Sequence, residues 1–203
     1  MTSHGIDLVF ASAEEIKINK NDAFRYMGSS ANNINEEMEE LYSLCLCDFL
    51  KSVKYKACVT KTQVILKGQG IIDLGFGEIQ SFNLEKNLEG CKEAYVFAAT
   101  CGAETDRLIL RLSKSQPSKS VTVDAIASSA VEGFCDFINN KLKENSELRP
   151  RFSCGYGDFD LENQKSILDF LDAYRKTGIT LSDGFLMTPK KTVTAIVGIK
   201  RTV

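Results

Sequence analysis

The residues best suited to chemistry lie between Arg151 and Asp158, in the run Arg151-Phe152-Ser153-Cys154-Gly155-Tyr156-Gly157-Asp158. Gly155 and Gly157 flank Tyr156. Glycine tolerates positive φ and leaves backbone N–H and C=O groups open to a ligand, and the tyrosine adds an aromatic face. Arg151 presents a planar fork of donors that matches a carboxylate. A molecule with an amino-acid carboxylate at one end and a flat heterocycle at the other suits this set. The same residues also describe a tight turn with a surface arginine, and the chemistry alone leaves both readings open.

Other reactive residues are arranged less suggestively. The seven cysteines stand at Cys45, Cys47, Cys58, Cys91, Cys101, Cys135 and Cys154, with no C-x-x-C pair. Cys45 and Cys47 fall in a helical pattern, where i and i+2 diverge by about 200° and cannot share a metal. An odd count without a secretory pattern reads as reduced thiols used as small apolar residues. The single histidine, His4, gives little basis for a Ser-His-Asp or Cys-His device. Gly68-x-Gly70 and Gly75-x-Gly77 do not open a helix after a strand, so turns or bulges explain them better than a dinucleotide site.

The elements that must position these residues follow from periodicity. Met38, Leu41, Tyr42, Cys45, Phe49 and Val53 form one stripe of a helix over Asn33–Val53, with Asn33 as N-cap and Glu36 at N3. Short β-type runs follow at 57–60, 63–66 and 71–74, and Ala94–Ala99 reads as a buried strand. A helix carrying Leu108, Ile109 and Leu112 must end before Pro117. A second helix, about 120–142, has an apolar arc of Ala127, Ala130, Phe134, Phe137 and Ile138. Ala125, Ser128, Ser129 and Gly133 are small enough to admit a neighbouring backbone or a ligand. Glu132 lies more than about 100° from the centre of that arc, where a solvated face is the plain expectation. Asp160 is expected to cap a helix whose inward face is Gln164, Ile167, Leu168, Leu171 and Tyr174, closed by Gly178. A last strand alternates Val193, Ala195, Val197 and Ile199 with Thr192, Thr194 and Ile196. The irregular alternation of helices and hairpin-like strands predicts an α+β fold, a single domain over 1–203, with a mainly antiparallel sheet flanked by helices.

Composition sets the remaining bounds. The chain has 203 residues, 43% hydrophobic and 26% charged, with a formal net charge of −2, which fits a folded globular protein. Scattered lysines argue against nucleic acid. No apolar run approaches the roughly 20 residues of a membrane span. Without a signal-peptide pattern at the start, the expected compartment is the cytoplasm.

The segment Arg151–Tyr156 resembles the R-x-x-x-G-Y motif that binds S-adenosylmethionine in the reactivation (activation) domain of cobalamin-dependent methionine synthase. "TGITLSDGFLMTPKKTVTA" looks like that family's G-x-x-L-T-x-S-x-x-M-x-P-x-x-S-V-S segment. "AVEGFCDFIN" is similar to its E-x-F-x-E-Y helix, and "FAATCGAETDRLI" resembles the strand-loop-helix of its short members. Similarity runs continuously over 89–197. The resemblance implies a ligand site at Arg151, Ser153, Cys154, Gly155, Tyr156 and Glu132, with no catalytic acid or base and no metal ligand in the chain. Two family segments lack a counterpart: an early D-W-T-P-F-F and a tyrosine pair beyond the last strand. Two walls of the site are therefore expected to be absent or rebuilt.

The family's role implies a module that binds S-adenosylmethionine and supports reductive methylation of cob(II)alamin to methylcobalamin. A flavodoxin-like donor supplies the electron. The cobalamin (vitamin B12) motif D-x-H-x-x-G is missing from this sequence, so the resemblance implies a separate cobalamin-binding methionine synthase chain or other corrinoid protein as partner. The protein is then a component of a methyltransferase in methionine biosynthesis, not catalytic alone. The alternative is an S-adenosylmethionine-binding regulatory or structural partner of a corrinoid protein that takes no part in methyl transfer.

Overall fold

The computed structural model describes residues 5–28, 34–144 and 147–200. The first elements are β1 (Asp7–Ala11), α1 (Lys20–Tyr26), α2 (Glu36–Ser52) and β2 (Tyr55–Gln63). Three short strands follow, β3 (Ile65–Gly68), β4 (Ile71–Asp73) and β5 (Glu78–Gln80), then α3 (Phe82–Asn87) and β6 (Glu93–Thr100). Two long helices come next, α4 (Ala103–Ser115) and α5 (Pro117–Lys143). The last elements are α6 (Asn163–Phe170), α7 (Ala173–Thr177), β7 (Thr180–Leu181), β8 (Met187–Thr188) and β9 (Thr192–Ile199).

The central sheet has the order β1-β2-β6-β9, and every pairing in it is antiparallel. Both faces are covered over β2, β6 and β9, and the strand period of two divides the side chains between them. Tyr55, Ala57, Val59, Phe97, Ala99, Ala195 and Val197 join a core built with α1, α2, α4 and α5. Cys58, Ala94, Val96, Ala98 and Ile196 enter a second core with the β3-β4-β5 sheet, α3, α6 and α7. Burial on both faces explains why β6 reads as a nearly continuous apolar run. The expected α+β architecture with a mainly antiparallel sheet is the one observed.

Helix α5 fixes one wall of the future site. Pro117 stands at its first turn, where a missing N–H costs nothing, so the helix begins three residues before the expected Ser120. Phe134 is fully buried, and its ring lies 5.0 Å from that of Tyr55. Gly133 admits a neighbouring backbone, as its size suggested: a Cβ there would stand 2.3 Å from the Lys17 carbonyl oxygen. One turn earlier, Ser129 donates its hydroxyl to the Asn19 carbonyl at 2.9 Å. These contacts moor the β1–α1 connection to α5.

Three local expectations are corrected. Asn33 lies outside the described residues, and the cap of α2 is Asn35, whose side chain accepts from the Met38 amide at 2.9 Å. Asp160 does not cap α6; its carboxylate accepts from the Glu162 amide at 3.0 Å in the preceding turn, and the helix starts at Asn163. The expected single helix is also split in two. Asp172 adopts a left-handed conformation, φ +47°, which breaks the ladder between α6 and α7. Tyr174 then rotates outward, 70% exposed, instead of continuing the inward face. Gly178 does close α7, with φ +81°.

Candidate functional site

Residues 148–152 run along the outer edge of β9. The Arg149 amide donates to the Gly198 carbonyl at 2.8 Å, and Phe152 and Ile196 exchange backbone hydrogen bonds at 2.9 and 2.8 Å. In such an extended run, successive side chains face opposite ways. Phe152 packs on the core shared with α6, its ring 6.2 Å from that of Phe159. Arg151 therefore points to the other side, toward α5. There Glu132 and Asp136 are separated by four residues, which puts both carboxylates on one helix face. Arg151 Nη2 lies 3.1 Å from Glu132 Oε2 and 3.2 Å from Asp136 Oδ1. The arginine side chain is 21% exposed, and its Nη1 is buried with no hydrogen-bond partner.

After Phe152 the chain turns sharply. The Tyr156 amide donates to the Ser153 carbonyl at 3.3 Å, the Phe159 amide to the Tyr156 carbonyl at 3.0 Å, and the Gly155 amide to the Phe159 carbonyl at 2.7 Å. Gly155 (φ +85°) and Gly157 (φ +58°) take the left-handed backbone this turn requires. Tyr156 is left at its apex, 67% exposed. Asp158 anchors the far end. Its Oδ1 accepts from the Ser81 hydroxyl at 2.5 Å and the Asn83 amide at 3.1 Å, and its Oδ2 accepts from the Phe82 amide at 2.8 Å. The two amides are free donors at the start of α3, and Ser81 is its N-cap. The Ser81 hydroxyl, followed by the two amides, pulls the Asp158 carboxyl down to about 2.

Between this loop, α5, α6 and β9 lies a groove of about 450 Å³. Five of the six residues named by the resemblance line it: Glu132, Arg151, Ser153, Cys154 and Tyr156. Gly155 does not; a Cβ there would meet the Leu161 side chain at 3.1 Å, so its part is to shape the loop. Glu132 is half-buried and ion-paired rather than on an open solvated face. It also borders a smaller groove of about 310 Å³ that contains Asp136. Burial pushes the Cys154 thiol up to about 12, against weaker opposing hydrogen bonds with its own backbone and with the Thr194 side chain.

Sequence reasoning missed several residues of the site. Asp136 holds Arg151, and its i+4 spacing from Glu132 was the available signal. Gln164 was read only as part of an inward helix face. It is buried, but it lines the groove and its Oε1 has no partner. A polar residue in an otherwise apolar stripe was the clue. Met187, Thr192, Val193 and Thr194 complete the wall.

A larger groove, about 570 Å³, lies between α6, α7 and the β7–β8 hairpin. It contains none of the six residues. Its charged groups are mostly satisfied: Lys165 pairs with Asp169 at 2.6 Å, and Asp172 with Arg175 at 3.0 Å. The groove of about 450 Å³ is lined by two residues with unpartnered buried atoms, Arg151 and Gln164, and is the better candidate. Among the described residues, no cluster of three or more His, Cys, Asp or Glu could hold a metal ion. Six of the seven cysteines are buried. No described helix is long and apolar enough to cross a membrane.

No protein-family model and no curated protein matches the chain. Among solved structures, the crystal structure of the MetH reactivation domain bound to AdoHcy is similar at a TM-score of 0.76 and 16% sequence identity. The match covers 100% of this chain and 80% of that one. The α+β arrangement described above, with its antiparallel sheet and flanking helices, is the fold of the MetH reactivation domain.

Proposed function

We propose that the groove binds S-adenosylmethionine and that the protein is a reactivation module for a cobalamin-dependent methionine synthase or related corrinoid protein. The observation that carries the reading is Arg151, which lines the groove and whose guanidinium is held by two carboxylates through Nη2 while Nη1 stays buried and unpaired. That is a fork with one donor arm left for a further anion. The volume of about 450 Å³ lies within the range of small-molecule sites. The solved relative of the same fold is bound to AdoHcy, the demethylated form of the same ligand.

In this reading Arg151 takes the carboxylate of the methionine moiety. The Glu132 carboxylate attracts the ammonium or sulfonium, and the exposed ring of Tyr156 covers the heterocycle. Cys154 contributes by staying inert. A thiolate beside a sulfonium would be alkylated, and burial keeps this sulfur protonated near neutral pH. None of these groups needs to act as acid or base. Their work is to hold the ligand with its methyl group outward, where a partner's corrinoid supplies the acceptor chemistry.

The test is calorimetry with S-adenosylmethionine, followed by a mixture of the protein, a cob(II)alamin-loaded partner, a one-electron reductant and S-adenosylmethionine. Methylcobalamin is followed by its visible spectrum. The expected result is saturable binding and methylcobalamin formation that depends on this protein. Binding without any effect on methylcobalamin would leave the regulatory or structural reading instead.

A further inference from the structure

Gln164 stands out as a buried residue whose side-chain oxygen, Oε1, has no hydrogen-bond partner. It is 6% exposed, and it lines the groove from the α6 wall. Its neighbours one turn on, Ile167 and Leu168, belong to the apolar core. At such a place an unpaired amide is destabilising, and an apolar side chain of the same length would pack without that penalty. The residue makes sense if its partner arrives with the ligand.

The groups in the groove divide by charge. Arg151 is cationic and matches a carboxylate, while Glu132 is anionic and matches an ammonium or sulfonium. Tyr156 covers the face of the neutral heterocycle, which leaves its hydrogen-bonding edge unmatched, and Gln164 is the neutral side chain lining the groove with an orphaned atom. A glutamine amide offers an acceptor and a donor side by side, which matches an adenine edge: Oε1 accepts from the 6-amino group and Nε2 donates to the adjacent ring nitrogen.

We infer that Gln164 reads the adenine edge of the ligand and sets the preference of the groove for a 6-aminopurine. This rests on the groove being an S-adenosylmethionine site.

The experiment titrates wild type and Gln164→Met with two ligands: S-adenosylhomocysteine, and the analogue with hydrogen in place of the 6-amino group. Wild type should bind the analogue about tenfold or more weakly, the scale of one buried hydrogen bond lost. Gln164→Met should bind both ligands equally, near the analogue's wild-type affinity. Its ligand-free melting temperature should be unchanged or higher. A wild type that binds the two ligands equally overturns the inference whatever the variant does. So does a variant that keeps wild-type affinity or still discriminates. Wild type with no affinity for S-adenosylhomocysteine overturns both the reading of the groove and the role of Gln164. Binding that is unaltered by the substitution overturns the role of Gln164 alone.

Discussion

Replacing Arg151 by alanine separates the stability of the fold from the affinity of the groove. In the ligand-free protein the guanidinium bonds Glu132 and Asp136, whose side chains are 47% and 69% exposed. Freed of their partner, both carboxylates hydrate, and exposed pairs of this kind contribute about 0–1 kcal/mol each. A domain of this size shifts its melting temperature by roughly 2–4 °C per kcal/mol, so Arg151→Ala should lower it by only a few degrees. Binding should respond far more. Removing one partner of a charge pair that the ligand buries costs about 2–5 kcal/mol, and 2 kcal/mol is already about thirtyfold in affinity. Arg151→Lys keeps the charge but loses the fork and should fall between the two. The assay is isothermal calorimetry with S-adenosylmethionine, paired with thermal melts of the same samples. A folded Arg151→Ala protein that binds as wild type removes Arg151 from the ligand, and a collapse of the fold would show that its contacts are structural.

Three further outcomes follow from the geometry. Gly133→Ala places a Cβ where the Lys17 carbonyl oxygen already stands, 2.3 Å away, and should destabilise the protein by about 1–3 kcal/mol in urea titrations; an unchanged midpoint means the β1–α1 connection yields freely. Phe134→Ala empties a fully buried site against Tyr55 and should cost about 3–5 kcal/mol by the same measurement. Asp158 has a folded pKa depressed to about 2. Its contribution is therefore complete above the ordinary carboxylate value of about 3.9 and is lost as pH falls through about 2. Urea midpoints of wild type and Asp158→Asn, compared from pH 6 to pH 2, should converge toward the acid end; parallel curves would contradict the capping role.

The sequence was most legible where one physical signal dominated. The stripe from Met38 to Val53 allowed only a helix, and the small residues of α5 announced a close neighbour, which proved to be the chain at Lys17 and Asn19. The turn chemistry around Tyr156 was readable because glycine is the residue that takes positive φ cheaply. Other features depended on distant partners. Nothing local says that Asp158 caps a helix 75 residues earlier, or that Asp172 breaks a helix its apolar neighbours would continue. Gln164 could be placed on an inward face, but the space in front of it exists only once β9 and the 153–159 loop are brought alongside.

The run that carries Arg151 has a second consequence, for solubility. An open strand edge invites pairing with another chain, and residues 148–152 occupy the outer edge of β9 through backbone hydrogen bonds at Arg149 and Phe152. Affinity and protection from self-association thus share the same few residues. Substitutions that loosen this run, whatever they do to the ligand, uncover β9, so the groove's backbone is constrained by the hazard of aggregation as well as by binding.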